Sequence, residues 1–318
     1  MSHVAQDAQV ALAVDVGGTK ILAAAVDANG CVLAQTRVAT PAREGATAVL
    51  GAMRDALHAT MKALAVDSPW LGLGISAAGI IDRDTARVID ATDALPGWKG
   101  TDFRAAFADL GLPVQAINDV HAALMGESAW GALAPTEGDK DAVPVQHAAM
   151  LAIGTGLGGA LLANGKLFTG AQGLAGHFGR TQLQWQGQWL PTETLVSGSG
   201  LAYLYTALGG TLPPQAGARE VLAQDDAPRV QAALAEWSCQ LAHVIANLHW
   251  AYNPEVLLLG GGMMDARQHW HLQVLQALQD MGLAPNLVFA ELGTLAGVCG
   301  AAQQIFAAAG VPVRKGSL

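Results

Sequence analysis

The chain has 318 residues, 52% of them hydrophobic and 14% charged, with 38 glycines, three cysteines and a formal net charge of -9. With no Lys/Arg cluster against that acidic balance, nucleic acid is an unfavourable partner, and no stretch reaches the roughly 18 uncharged apolar residues of a spanning helix. The start lacks a basic leader, the length suggests two lobes, and the scattered Cys31, Cys239 and Cys299 suit reduced thiols, so the expectation is a soluble, cytoplasmic α/β protein with no membrane partner.

From Val10 the chain reads VALAVDVGGTKILAAAVDANGCVLAQ, which predicts three strands joined by turns at Gly17-Gly18 and Asn29-Gly30. Residues 43–64 carry apolar side chains at helical spacing, and WLGLGISAAGII at 70–81 reads as one buried strand. TDFRAAFADLG at 101–111 predicts a short helix capped by the Thr101 hydroxyl and ended by glycine. Val114 to Ile117 reads as a strand and a helix follows from Asp119, which puts Asn118 and Asp119 at the junction. The polar run APTEGDKDAVPVQ from Ala134 reads as a loop before a second meander, AAMLAIGTGLGGALLANGKLF, with a Gly-rich turn at Gly154 to Gly159. Two copies of one pattern suggest two similar lobes whose hairpins face a common cleft. A long helix from residue 227 is stopped by Asn253-Pro254, and EVLLLGGGMM follows as a buried strand with a third glycine turn, so each lobe should hold a mixed, largely parallel sheet.

Three of these turns suit a nucleotide. After Asp15, the glycines Gly17 and Gly18 let backbone N–H groups approach an anion, with Thr19 and Lys20 as further donors; an ordinary Gly hairpin is the alternative. The segment runs into a strand rather than a helix, so it is not a P-loop, and GTGLGG at 154–159 fails the dinucleotide fingerprint for the same reason. Gly260 to Gly262 could let an adenine or ribose lie against bare backbone. Asp119, stabilised as an anion at a helix start, is the candidate general base; a plain helix cap is the alternative.

In order and approximate spacing, AVDVGGTK, INDVHAALMGE, LAIGTGLGG, GLAGHFGR, ETLVSGSG, NPEVLLLGGG and GTLAGVCGAA resemble the motifs of the ROK family of sugar kinases over nearly the whole chain. The resemblance implies an actin-like, hexokinase-type α/β fold of two ribonuclease-H-like lobes around a central cleft. A small lobe would span 1–118, with the C-terminal helix 301–318 returning to it, and a large lobe 119–300. Asp15, Gly17, Gly18, Thr19, Lys20, Gly154, Thr155 and Gly156 would bind ATP and Mg²⁺, with Asp15 as the candidate Mg²⁺ ligand, and Gly260, Gly261 and Gly262 would border the nucleotide. Asp119 would take the proton of a sugar hydroxyl, typically the 6-OH, and Asn118, Gly79, His177 and Glu193 would contact the sugar. The implied partners are a small-molecule sugar and ATP, and relatives are commonly homodimers. A ROK transcriptional repressor would need a winged helix ahead of Asp15, and the sequence leaves no room for one.

The chain departs from the family in places. Where the pattern reads Ala-Gly-Glu-x-Gly-His it has AGHFGR, with His177 for the Glu and Arg180 for a zinc-binding His. The zinc cysteines are missing from TQLQWQGQWLPT, so no structural zinc is expected, and Trp185 and Trp189 are expected to pack the loop instead. Bacterial N-acetylmannosamine kinases of the family resemble this chain in placing His at that position, which implies an N-acetylmannosamine acceptor; drift in a zinc-free loop is the alternative. Ala94 stands where the family usually has a sugar-binding Asn. His121, His243 and His249 read as structural. Phosphorylation of N-acetylmannosamine at O6 is the leading expectation, glucose or N-acetylglucosamine phosphorylation the alternative, and an idle sugar-binding relative the third.

Overall fold

The computed structural model describes residues 9–64, 70–92, 95–135 and 143–315, so Ala94 and residues 136–142 of the polar run lie outside the described residues. The chain forms two compact units, one of Met1–Pro144, Ala171–Gly173 and Glu291–Leu318, the other of Val145–Gly170 and Leu174–Ala290.

In the first unit β1 (Val10–Val16), β2 (Lys20–Asp27) and β3 (Val32–Ala39) form the antiparallel meander expected from their turns. Helix α1 (Ala46–Leu64) leads to β4 (Trp70–Ala77), parallel to β1. A small hairpin, β5 (Ile80–Asp82) and β6 (Arg87–Asp90), and the short α2 (Phe103–Ala106) precede β7 (Val114–Asn118), which runs parallel to β4. The sheet order is β3-β2-β1-β4-β7, and α3 (Asp119–Trp130) starts directly after β7. Alternation along β1 sorts the core: Leu12, Val14 and Val16 share one cluster with Val49, Met53 and Leu57 of α1. Ala11 and Ala13 share the other with Val298, Ala301 and Ile305 of the last helix, Ala296–Ala308. Each large side chain so buried contributes about 1.5–3 kcal/mol relative to exposure. The last helix lies close because small residues permit it: a Cβ at Gly300 would strike the backbone of Ala122, and one at Gly74 the backbone of Ala301.

Two expectations are corrected here. WLGLGISAAGII is two strands, because Gly79 takes φ +109°, a conformation that ends β4 and redirects the chain into β5. The cap of α2 is Asp102, whose carboxylate accepts from Ala105 N–H at 3.0 Å, rather than Thr101.

The second unit repeats the plan. Strands β8 (Ala148–Ile153), β9 (Leu157–Ala163) and β10 (Lys166–Leu167) form the second meander. A hairpin of β11 (Gln182–Trp185) and β12 (Gln188–Pro191) leads into α4 (Thr192–Leu195), α5 (Gly198–Ala207), α6 (Ala218–Leu222) and the long α7 (Ala227–Tyr252). Asn253, left-handed at φ 50°, ends α7. Strand β13 (Val256–Gly260) is parallel to β8, and after α8 (His271–Asp280) β14 (Leu287–Phe289) is parallel to β13, giving the order β10-β9-β8-β13-β14. Trp185 is buried and meets Tyr203 edge-on, whereas Trp189, on the opposite face of its hairpin, is 67% exposed and packs nothing comparable, which corrects the expectation for that residue. No helix among the described residues is long and apolar enough to cross a membrane.

Candidate active site

In the first unit the predicted residues gather at the C-terminal ends of β1, β4 and β7, the end of a parallel sheet where ligands bind. Asp15 is half-buried near the end of β1, and its neighbour in the β4 register is Ser76, whose hydroxyl donates to Asp15 Oδ1. The Asp15 carboxyl is pushed up from 3.8 to about 6, chiefly by burial and also by the charge of Asp119, against the Ser76 hydrogen bond, which lowers it. Two carboxylates that repel across this edge are an all-oxygen donor set of the kind a hard divalent cation takes. Gly297 of the last helix lies directly against the carboxylate, where a Cβ would come 2.5 Å from Asp15 Cγ. Ser76 lies outside the motifs and Gly297 lies inside GTLAGVCGAA with no role assigned to it; a buried polar residue inside an apolar strand was the available signal for Ser76.

Beside Asp15, the β1–β2 turn is closed by Gly17 N–H on the Lys20 carbonyl at 3.0 Å and pinned by Thr40, whose hydroxyl donates to the Gly17 carbonyl at 2.7 Å. Gly18, Thr19 and Lys20 are exposed, and a Cβ at Gly18 would meet nothing within 4 Å, which leaves open space for an anion. At the β7–α3 junction Asn118, not Asp119, caps the helix: its Oδ1 accepts from Val120 and His121 N–H at 3.0 and 3.2 Å, and its Nδ2 donates to the Gly79 carbonyl at 2.9 Å. Asn118 is thus the N-cap of α3. Asp119 is the first residue of α3, half-buried, with Oδ1 accepting from Val120 N–H at 2.9 Å. Buried Glu127, two turns on, accepts from the N–H groups of Ala132, Glu291 and Leu292 at 2.8, 3.2 and 2.8 Å and ties α3 to the segment before the last helix.

In the second unit the turn Gly154–Gly156 joins β8 to β9, so the glycines do precede a strand. The N-terminus of α5 holds it, with Gly198 and Ser199 N–H donating to the Gly154 and Thr155 carbonyls at 2.7 and 3.2 Å. Glu193 Oε2 accepts from Leu157 N–H at 2.7 Å. Gly260 ends β13, Gly261 has φ 88° with no room for a Cβ against Ile153, and Gly262 opens a 3-10 segment, so the third turn borders the end of β8. His177 is half-buried, and its Nδ1 meets the Leu174 carbonyl at 3.1 Å; a carbonyl only accepts, so Nδ1 carries a proton. Arg180 is exposed. Among the described residues, no three His, Cys, Asp or Glu side chains converge as a metal-binding group.

Residues 11–307 match the family described as ROK. The chain belongs to the ROK family. It is 32% identical over 305 residues to the bifunctional enzyme NanE/NanK of Brucella suis, covering 92% of this chain and 52% of that protein, so it spans about half the length of that relative. It is 31% identical over 261 residues to the N-acetylmannosamine kinase of Citrobacter koseri, covering 79% of this chain and 83% of that one. The crystal structure of a ROK hexokinase from Thermus thermophilus aligns with a TM-score of 0.78 and 25% identity, over 95% of this chain and 99% of that one. The actin-like, hexokinase-type α/β fold is thus the fold of this ROK protein.

Proposed function

We propose that this ROK protein is a sugar kinase, a phosphotransferase that moves the γ-phosphoryl group of ATP to the 6-hydroxyl of N-acetylmannosamine. The observation that carries the reading is the carboxylate pair: Asp119 opens α3 with the capping work done by Asn118, and Asp15 stands near enough to feel its charge. Asp119 accepts the proton of the hydroxyl, whose oxygen attacks the γ-phosphorus as the bond to the β-phosphate oxygen breaks, giving ADP and the sugar 6-phosphate. The N–H groups around Gly17–Lys20 and Gly154–Gly156 hold the phosphates, and the open Gly260–Gly262 turn borders the nucleoside. Asp15 would be the protein partner of the Mg²⁺ carried with the nucleotide, which would supply charge neutralisation on the transferred group. Glu193, His177, Asn118 and Gly79 position the sugar. The acceptor is argued from His177, where the ROK glucokinases keep Glu: an imidazole in place of a carboxylate changes the hydrogen-bonding groups offered to the sugar, which fits a ring whose neighbouring substituent is an acetamido group. The name of the Citrobacter relative supports the same choice.

Coupled ADP release with N-acetylmannosamine, glucose and N-acetylglucosamine tests it. Turnover is expected with N-acetylmannosamine, a shift towards glucose in His177→Glu, and a loss of about a hundredfold or more in Asp119→Asn with both ligands still bound. Turnover of glucose alone by the wild type would refute the acceptor, and turnover of no sugar would leave an idle relative.

A further inference from the structure

Glu193 does more in this structure than face a ligand. Its Oε2 accepts from Leu157 N–H at 2.7 Å, the amide at which the Gly154–Gly156 turn enters β9. The contact is enforced by missing side chains: a Cβ at Gly156 would collide with Oε2, and one at Gly179 would collide with the Leu157 carbonyl and touch Glu193 Cβ at 3.4 Å. The backbone following Glu193 is bound to the same turn. Ser197 Oγ donates to the Glu193 carbonyl at 2.8 Å, and Gly198 and Ser199 N–H donate to the carbonyls of Gly154 and Thr155. Residues 193–199 therefore strap the turn at both ends, by main-chain bonds at one end and by a single side-chain oxygen at the other.

We infer that Glu193 is a positioning residue for the nucleotide: its Oε2 fixes the Gly154–Gly156 turn in the phosphate-binding shape, so the carboxylate assigned to the sugar also sets nucleotide affinity. This rests on the reading of that turn as a phosphate cradle given above. The two duties call for different properties of the side chain. Holding Leu157 N–H requires an acceptor at glutamate's reach, which Gln retains and Asp lacks. Contacting a sugar hydroxyl as a full anion requires charge, which Asp retains and Gln lacks.

The test is titration of the ligand-free protein with Mg²⁺ and the ATP analogue AMP-PNP, no sugar present, in the wild type, Glu193→Gln and Glu193→Asp, with the sugar KM measured alongside. Glu193→Asp is expected to weaken AMP-PNP about fivefold or more; Glu193→Gln is expected to stay within twofold of the wild type while its sugar KM rises. A residue that touches only sugar cannot change nucleotide affinity when sugar is absent. Equal AMP-PNP affinity in all three proteins would overturn the inference, as would a loss in Glu193→Gln as large as in Glu193→Asp. If wild type binds AMP-PNP but phosphorylates no sugar, the kinase reading fails and the comparison of the variants still decides the role of Glu193. If it binds no AMP-PNP, both fall.

Discussion

Substituting Gly297 with Ala sets helix propensity against the geometry of the site. In the middle of an ordinary exposed helix this change stabilises by about 1 kcal/mol, because Ala costs less backbone entropy. At position 297 the new Cβ would stand 2.5 Å from Asp15 Cγ and Oδ1 and 2.8 Å from Oδ2. Asp15 cannot simply turn aside, since Ser76 Oγ holds Oδ1 and the backbone is locked in β1. The last helix cannot retreat either, because Gly300 lies against Ala122 and Gly74 against Ala301. Overpacking of this kind costs about 1–3 kcal/mol, so the propensity gain is cancelled or outweighed and the net change is about 0–2 kcal/mol of destabilisation. On the proposed function the larger effect is on turnover: moving the carboxylate assigned to Mg²⁺ by about 1 Å costs on the order of a hundredfold. The assay is kcat/KM for ATP at saturating sugar together with urea unfolding. Gly51→Ala, on the exposed face of helix α1 where a Cβ meets nothing within 4 Å, is the control and should gain stability with unchanged kinetics. If Gly297→Ala keeps kcat/KM within threefold of the wild type, the claim that the last helix sets the Asp15 position is wrong.

Two further outcomes follow from Asp15 and Glu127. In the ligand-free protein the Asp15 carboxyl titrates at about 6 rather than 3.8, so between those values the folded state holds a proton the unfolded chain has lost. Stability should therefore fall as pH rises from about 4 to about 6, the wild type losing more than Asp15→Asn in urea midpoints, and identical slopes would contradict the shift. Glu127→Ala leaves the N–H groups of Ala132, Glu291 and Leu292 without their acceptor in a buried place, a cost of about 3–5 kcal/mol. A loss under 1 kcal/mol by denaturant unfolding would show that water or a shifted backbone replaces it.

Both meanders were legible because their signals are local: apolar strands of fixed period, broken by Asn-Gly and Gly-Gly pairs that only a tight turn accommodates. The break at Gly79 was hidden because the apolar run continues through it, and nothing in AAGII shows that the glycine has φ +109° with the Asp90 carbonyl 2.6 Å from where a Cβ would be. Thr101 and Asp102 are both competent caps, and the choice between them is made from outside the segment, by Arg87, which pairs with the Asp102 carboxylate at 3.0 Å. At the site the motifs supplied the groups proposed to do chemistry, Asp15 and Asp119, but not those that hold them. Ser76 lies 61 residues from Asp15, and Glu127 lies 164 from the Glu291 amide it binds, separations at which pattern in one sequence carries no register. Gly297 is more obscure still, for its contribution is a volume left empty. A glycine in a helix reads as a cost in propensity, and only the position of a carboxylate from the first strand turns that cost into a requirement.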